Sequence, residues 1–392
     1  MLETWRWFDQ DDAVSLKEIT EAGATDIVSS LNEFATGDVW PLEAIISRKD
    51  FIENASLKWS VVESLHVHND IKTRSGNYQR LIDNYKQSII NLGKAGIGTV
   101  CYNFMPVVDW TRTNLDYHLE NTGCALRFDM IDFIAYDIYV LGRQDAEKNY
   151  TEDMVKQAKQ HFDALSQQQI DLLENNIIAG LPGGEGSYSQ ESLKQAIAEF
   201  INLGEDGLRS NLIAFLSEIT PIAEKAGVNL CIHPDDPPFS LFGLPRVVST
   251  QDDVRRILYS VDSSANGLTL CAGSFGARGD NNLIAMVEEF GSRIYFAHLR
   301  NVVREENGSF YEAEHLNGDN DMVGLISALL EEEEKRKARG YDLPIPMRPD
   351  HGHLLAYEMN QENVKPGYSY IGRLKGLAEL RGVIHGLSYA KK

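Results

Sequence analysis

Across 392 residues the chain is 43% hydrophobic and 24% charged, the make-up of an ordinary soluble globular protein with material for a large core. A formal net charge of −21 argues against a nucleic-acid partner, since no phosphate backbone is drawn to it. There is no apolar run of about 18 residues to span a membrane and no basic-then-apolar leader. The four cysteines are too few for a disulfide framework, so a reducing cytoplasm is the expected setting.

Trp5-Arg-Trp-Phe8 is the first predicted strand, and a helix over Asp11–Glu21 follows, closed by Gly23. Asp26-Ile-Val-Ser-Ser is the second strand, after which Pro41 opens a helix at its favoured early position. The third, Trp59-Ser-Val-Val-Glu-Ser-Leu, ends at His66-Val-His68. From Tyr78, apolar residues at 81, 82, 85, 89 and 92 mark a helix, and Gly98-Thr-Val-Cys-Tyr-Asn103-Phe-Met-Pro106 is the fourth strand. From Val107 to Asn211 the alternation breaks. Leu126, Phe128 and Met130 alternate before helical spacing takes over, a helix follows Thr151, and Ile177–Leu181 leads into a mobile-looking Pro-Gly-Gly-Glu-Gly. We read 107–211 as a mainly helical insertion after the fourth strand, long enough to carry its own structure or cover a site. Helical spacing returns at Ser210, Thr250-Gln-Asp-Asp253 resembles a capping box, and 322, 325, 326, 329 and 330 make another helix face.

With Ile177–Leu181 there are nine candidate strands. That one is demoted, because Gly and Pro interrupt it and no proper crossover precedes it. The remaining eight centre on Trp5, Ile27, Val61, Val100, Leu230, Leu270, Tyr295 and Pro346. Strands alternating with helices imply a parallel sheet. The expectation is an α/β (β/α)8 TIM barrel in one domain over 1–392. An open doubly wound sheet is the rival, but no Gly-x-Gly-x-x-Gly follows the first strand.

The last four strands each run into a metal-type donor: His233, Cys271, His298 and Asp350. Each alone has a plainer reading, as a turn histidine, a packing thiol, a core histidine and a helix cap. Together they end successive strands at the C-terminal rim, where barrels place their sites. Two imidazoles, a thiolate and a carboxylate suit Zn or Fe(II) on softness, while an oxygen-rich substrate suits Mn(II). Cys101, Cys124 and Cys231 are read as packing residues. His68 is expected to touch a substrate hydroxyl, with His66 structural, and Asn103 to hydrogen-bond a polyol. Gly273–Gly279 is read as a tight turn rather than an anion cradle. His351 and Tyr368, the latter in a Pro/Gly-bounded loop, are the proton carriers.

His233-Pro-Asp-Asp-Pro-Pro, Leu-Cys271-Ala-Gly-Ser-Phe-Gly, Phe-Ala-His298-Leu-Arg-Asn-Val, Met-Arg-Pro-Asp350-His-Gly-His and Pro-Gly-Tyr368 closely resemble the D-mannonate dehydratase family. Val-Val-Glu63-Ser and Val-Cys-Tyr-Asn103-Phe-Met-Pro extend the resemblance over essentially the whole chain. It implies a xylose-isomerase-like barrel that dehydrates D-mannonate to 2-dehydro-3-deoxy-D-gluconate in hexuronate breakdown. It also implies Mn2+ or Fe2+ held by His233, Cys271, His298 and Asp350, with His351 and Tyr368 near the chemistry. A homodimer is the expected assembly. Arg300 is assigned to the substrate carboxylate, with a structural ion pair at the rim as the other reading. The alternatives to a lyase are a sugar isomerase or epimerase on the same barrel and a non-catalytic metal- or sugar-binding protein.

Overall fold

The computed structural model describes residues 1–120, 123–178 and 189–390. Strands β1 (Leu2–Arg6), β2 (Asp26–Ser29), β3 (Lys58–Glu63) and β4 (Thr99–Tyr102) come first, followed by a hairpin of β5 (Asn114–His118) and β6 (Cys124–Phe128). Next come β7 (Asn229–Ile232), β8 (Asn266–Cys271) and β9 (Ile294–His298), then β10 (Val302–Arg304), β11 (Phe310–Glu312) and β12 (Pro346–Arg348). Eight of them, β1 to β4, β7 to β9 and β12, run parallel and close into a barrel. Closure is made where β1 pairs with both β2 and β12. Every predicted strand centre falls inside one of these eight. Ile177 and Ile178, by contrast, end a helix at Gln167–Ile178, and the rest of that demoted segment and the Pro-Gly-Gly-Glu-Gly run lie outside the described residues. Among the described residues, no helix is long and apolar enough to cross a membrane.

Alternation along the strands decides what the barrel interior contains, because residues two apart share a face. Val28, Val61, Cys101, Cys231 and Phe296 belong to one buried cluster on the inward face. Two residues further toward the C-terminal rim, the same faces carry Glu63, Asn103, His233 and His298. Cys271 is level with His298, as is Arg348, while Arg6 is level with Val28. Strand period alone therefore gathers Arg6, Glu63, Asn103, His233, Cys271, His298 and Arg348 near one mouth.

Between β4 and β7 the insertion is mainly helical, but it opens with the β5–β6 hairpin. This hairpin joins β10 and β11, which follow β9, in an antiparallel sheet of order β10-β11-β6-β5. The alternation at Leu126 and Phe128 is the sequence trace of β6. The expected boundary at Asn211 falls inside the helix Gln190–Ala226, which is interrupted at Gly204 and then packs Leu212, Phe215, Leu216 and Ile219 inward. The first helix also differs from expectation. It begins at Leu16 behind a Ser15 capping box, because the Asp12 carboxylate instead accepts the amides of Phe8 and Val14.

Candidate metal and active site

His233, Cys271 and His298 bring one donor atom each to within 4.8 Å of one another. Acceptors around them fix which ring nitrogens face inward. His233 Nδ1 lies 2.7 Å from the Pro234 carbonyl, which only accepts, so this nitrogen carries a hydrogen and Nε2 is the ring atom that faces the cluster. His298 Nε2 lies 3.2 Å from Glu63, which turns Nδ1 toward the cluster. The two inward nitrogens, His233 Nε2 and His298 Nδ1, stand 3.3 Å apart. Asp350 completes the set, with Oδ2 3.7 Å from His298 Nδ1 and 3.9 Å from Cys271 Sγ. Its φ of +66° is a left-handed conformation that costs a non-glycine residue energy, as strained backbone at functional sites does.

Electrostatics prepares these groups as ligands. Burial pushes the Cys271 thiol up, but Arg300, His233 and His298 outweigh it and hold the thiol well below its ordinary range, so it is a thiolate. Burial would lower His233, yet its hydrogen bond and charge interaction with Cys271 lift it to about 10, so Nε2 shares a proton with the sulfur that a bound cation would displace. Burial likewise disfavours ionised Asp350, but Arg348, joined by His351, His298 and Arg300, holds it well below the carboxylate range. Two nitrogens and a thiolate around one point, with a carboxylate oxygen beside two of them, fit a divalent transition-metal cation. A second grouping, Asp116, His118 and Cys124 on the β5–β6 hairpin, has two exposed members and lacks this surrounding frame.

That frame is a buried ionic network. Arg300 reaches Asp236, Glu312, Asp350 at 2.9 Å and Ser274 at 3.0 Å. Arg112 grips Asp236 at 2.7 Å and Glu312 at 3.0 Å. Arg348 pairs with Glu63 at 3.0 Å and with Asp350. Ser274 donates to Cys271 Sγ at 3.1 Å. Gly273 is glycine because a Cβ there would sit 2.3 Å from Arg300 Nε, and Gly273–Gly279, expected as a tight turn, starts inside a short helix, Ala272–Gly276. Arg300 is therefore an ion-pair residue whose partners are protein carboxylates, the second of the two expected readings.

His351 and Tyr368 are together, with ring centroids 5.2 Å apart. His351 Nδ1 lies 3.1 Å from Glu312, which accepts, and 3.3 Å from Arg300 Nη1, which donates, while Nε2 points the other way, 3.8 Å from Asp350 Oδ1. Burial pushes the Tyr368 phenol up to about 12. Its loop is held in place: Gly352 donates to the Gly367 carbonyl at 2.8 Å, and Ser369 Oγ to the His353 carbonyl at 2.7 Å. Gly367, at φ +78°, has no room for a side chain, since a Cβ would lie 2.6 Å from Leu126.

The other expected contacts are less central. His68 caps the helix Asn69–Thr73, accepting from the Asp70 amide at 3.0 Å, so the structure does not draw it into the cluster. Asn103 stands on the inward face but donates to Asp109 at 3.5 Å. Sequence reasoning gave no role to Arg6, Glu63, Arg112, Asp236, Glu312 or Arg348. Strand period would have found Arg6, Glu63 and Arg348, but Arg112 and Glu312 meet across 200 positions with no local signal.

The chain is similar to known proteins along its whole length. The family model for D-mannonate dehydratase (UxuA) matches residues 1–392. A mannonate dehydratase of Saccharophagus degradans is 63% identical over 100% of this chain and 99% of its own length. One from Marinomonas sp. is 53% identical over 99% of each. The crystal structure of mannonate dehydratase from Streptococcus suis superposes with a TM-score of 0.79 at 33% identity, covering 100% of this chain and 96% of that one. A D-psicose 3-epimerase solved with D-fructose shares the fold alone, at a TM-score of 0.51 and 10% identity. The chain belongs to the D-mannonate dehydratase family.

Proposed function

We propose that this site removes water from D-mannonate to give 2-dehydro-3-deoxy-D-gluconate, in hexuronate breakdown, with Mn2+ or Fe2+ held by His233, Cys271, His298 and Asp350. The observation that carries the reading is the meeting of these four side chains beside His351 and Tyr368 at the C-terminal mouth. The thiolate disfavours Mg2+, and the carboxylate suits Mn2+ or Fe2+.

The reaction breaks the C2–H and C3–OH bonds, and the enol formed becomes the 2-keto acid. Both bonds resist: the α-proton is barely acidic beside a carboxylate, and hydroxide leaves poorly. When bound, a divalent cation supplies Lewis acidity toward the acid group and its neighbouring hydroxyl. His351, held at Nδ1 by Glu312 and Arg300, takes the C2 proton at Nε2. Tyr368 keeps its proton through neutral pH and delivers it to the departing C3 hydroxyl. A positioned acid or base of this kind contributes about 10²–10⁴-fold. Packing against Phe8 and His351 holds the phenol in one orientation.

A metal-reconstituted assay against a panel of aldonic acids tests this. The expected product from D-mannonate reacts as a 3-deoxy-2-keto acid. A product that retains all its hydroxyls would point to an isomerase or epimerase, and binding without turnover would leave a sugar-acid binding protein. A cytoplasmic homodimer belongs to the same proposal. The four free, buried cysteines support the reducing setting, and sedimentation of the loaded protein measures the assembly.

A further inference from the structure

The buried network at the mouth has a definite membership. The contacts described above link three guanidinium groups (Arg112, Arg300 and Arg348) to four carboxylates (Glu63, Asp236, Glu312 and Asp350), and each of the three meets at least two of the four. Arg6 has no part in it.

Arg6 ends β1 on the inward face, level with Val28, and is only 7% exposed. It forms no ion pair within 4 Å among the described residues. One of its nitrogens, Nη1, reaches carbonyls, those of Trp7 at 3.2 Å and Val28 at 3.5 Å. Its guanidinium lies over the Phe8 ring, 4.4 Å from the centroid, and Phe8 in turn packs edge-on against Tyr368 at 4.7 Å. Burial without a matched anion pulls its pKa down, while Glu63 and Tyr368 lead the groups that favour its charge. Neighbouring Arg373 is the instructive contrast. It too is buried, but its three nitrogens donate to the carbonyls of Arg6, Tyr368 and Ser369 at 2.8, 2.9 and 3.1 Å. Arg373 is spent on the backbone, and Arg6 retains donors. Asp12, the next acid along the chain that favours the Arg6 charge, is occupied by backbone amides. The buried Glu63 Oε2 has no hydrogen-bond partner among the described residues, so the pair of groups at this edge of the mouth leaves polar atoms open.

A buried guanidinium without an ion-pair partner at the edge of the mouth suits one singly charged anion, and Arg presents paired donors for a carboxylate. We propose that Arg6 is the carboxylate subsite: its guanidinium takes an oxygen of the acid group of an aldonate. This selects sugar acids over neutral sugars and sets the reacting carbons between the donor cluster and Tyr368. The role that Arg300 was expected to fill falls to Arg6, because Arg300 is already ion-paired with Asp236, Glu312 and Asp350. The inference rests on the sugar-acid reading of the site but not on the lyase chemistry.

The test uses Mn2+-loaded wild type, Arg6→Gln and Arg6→Lys, with D-mannonate and its neutral amide as probes. Losing a charge-assisted hydrogen bond is expected to weaken D-mannonate binding, and raise its KM, by about 10- to 100-fold in Arg6→Gln. Binding of the amide should change little, and bound Mn2+ and the thermal midpoint should stay as in wild type. Arg6→Lys, which keeps the charge but not the paired donors, should fall between. Should Arg6→Gln fail to fold, the same comparison in Arg6→Lys decides: an unchanged preference for the acid over the amide overturns the proposal, and a reduced one supports it. An Arg6→Gln protein with wild-type KM likewise overturns it. If wild type makes no 3-deoxy-2-keto acid but binds D-mannonate through Arg6, the lyase reading fails and this one stands.

Discussion

The two halves of the barrel end their strands in different chemistry. β7, β8, β9 and the segment after β12 present His233, Cys271, His298 and Asp350, residue types that hold a metal. β1 and β3 present Arg6 and Glu63, which set charge and orientation around it. One half supplies the reactive donors and the arginines that hold them ionised, and the other orients His298 through Glu63 and meets the anion beside them at Arg6. The division explains why single substitutions in the two halves should fail in different ways.

The largest expected effect is in the donor half. Cys271→Ala should lose bound Mn2+ and turnover together, read by metal analysis of the purified protein beside a keto-acid assay. Full activity in that variant would break the comparison outright. Next is Tyr368→Phe, which should keep its metal and its thermal midpoint while kcat falls by about 10²–10⁴-fold. In the other half, Glu63→Gln weakens the acceptor behind His298, and outer partners of this kind change metal affinity by about 10- to 100-fold. Competition with a chelator would measure it, and an unchanged affinity would remove Glu63 from the account. The smallest effect is a titration. Burial pushes the Glu312 carboxyl up, but Arg300, His351 and Arg112 together bring it down to about 2 from an ordinary 4.5. A depressed carboxylate contributes its stability above the unfolded value and loses it as pH falls through the folded one. Urea midpoints should therefore be flat above about pH 5 and decline between 4.5 and 2, and Glu312→Gln should flatten part of that decline.

Much of this was legible in the chain. All eight barrel strands announce themselves as short apolar runs, and histidine or cysteine at the end of such a run is uncommon enough to notice. Arg6, Glu63 and Arg348 end strands too, but arginine and glutamate are ordinary surface residues, so nothing in the residue type separates a buried ion from a solvated one. Closure of the barrel makes that distinction, by placing Arg348 3.0 Å from Glu63 across 285 positions. The hairpin β5–β6 was half visible: β6 alternates and is largely buried, whereas β5 is polar, with no residue fully buried, and offers no pattern. Asp12 shows the local limit, since a helix start and a turn both want an acid there, and amides of the turn took it.

Arg112 has a consequence for how this barrel was elaborated. It is fully enclosed and enters with the insertion, yet it neutralises Asp236 from the loop after β7 and Glu312 from β11. Removing one member of a buried ion pair costs about 3–5 kcal/mol. A trimmed version of the chain lacking the stretch around Arg112 would thus leave two stranded acids beside the reaction centre. The excursion and the catalytic mouth form a single inheritance, and neither can be shortened without rewriting the other.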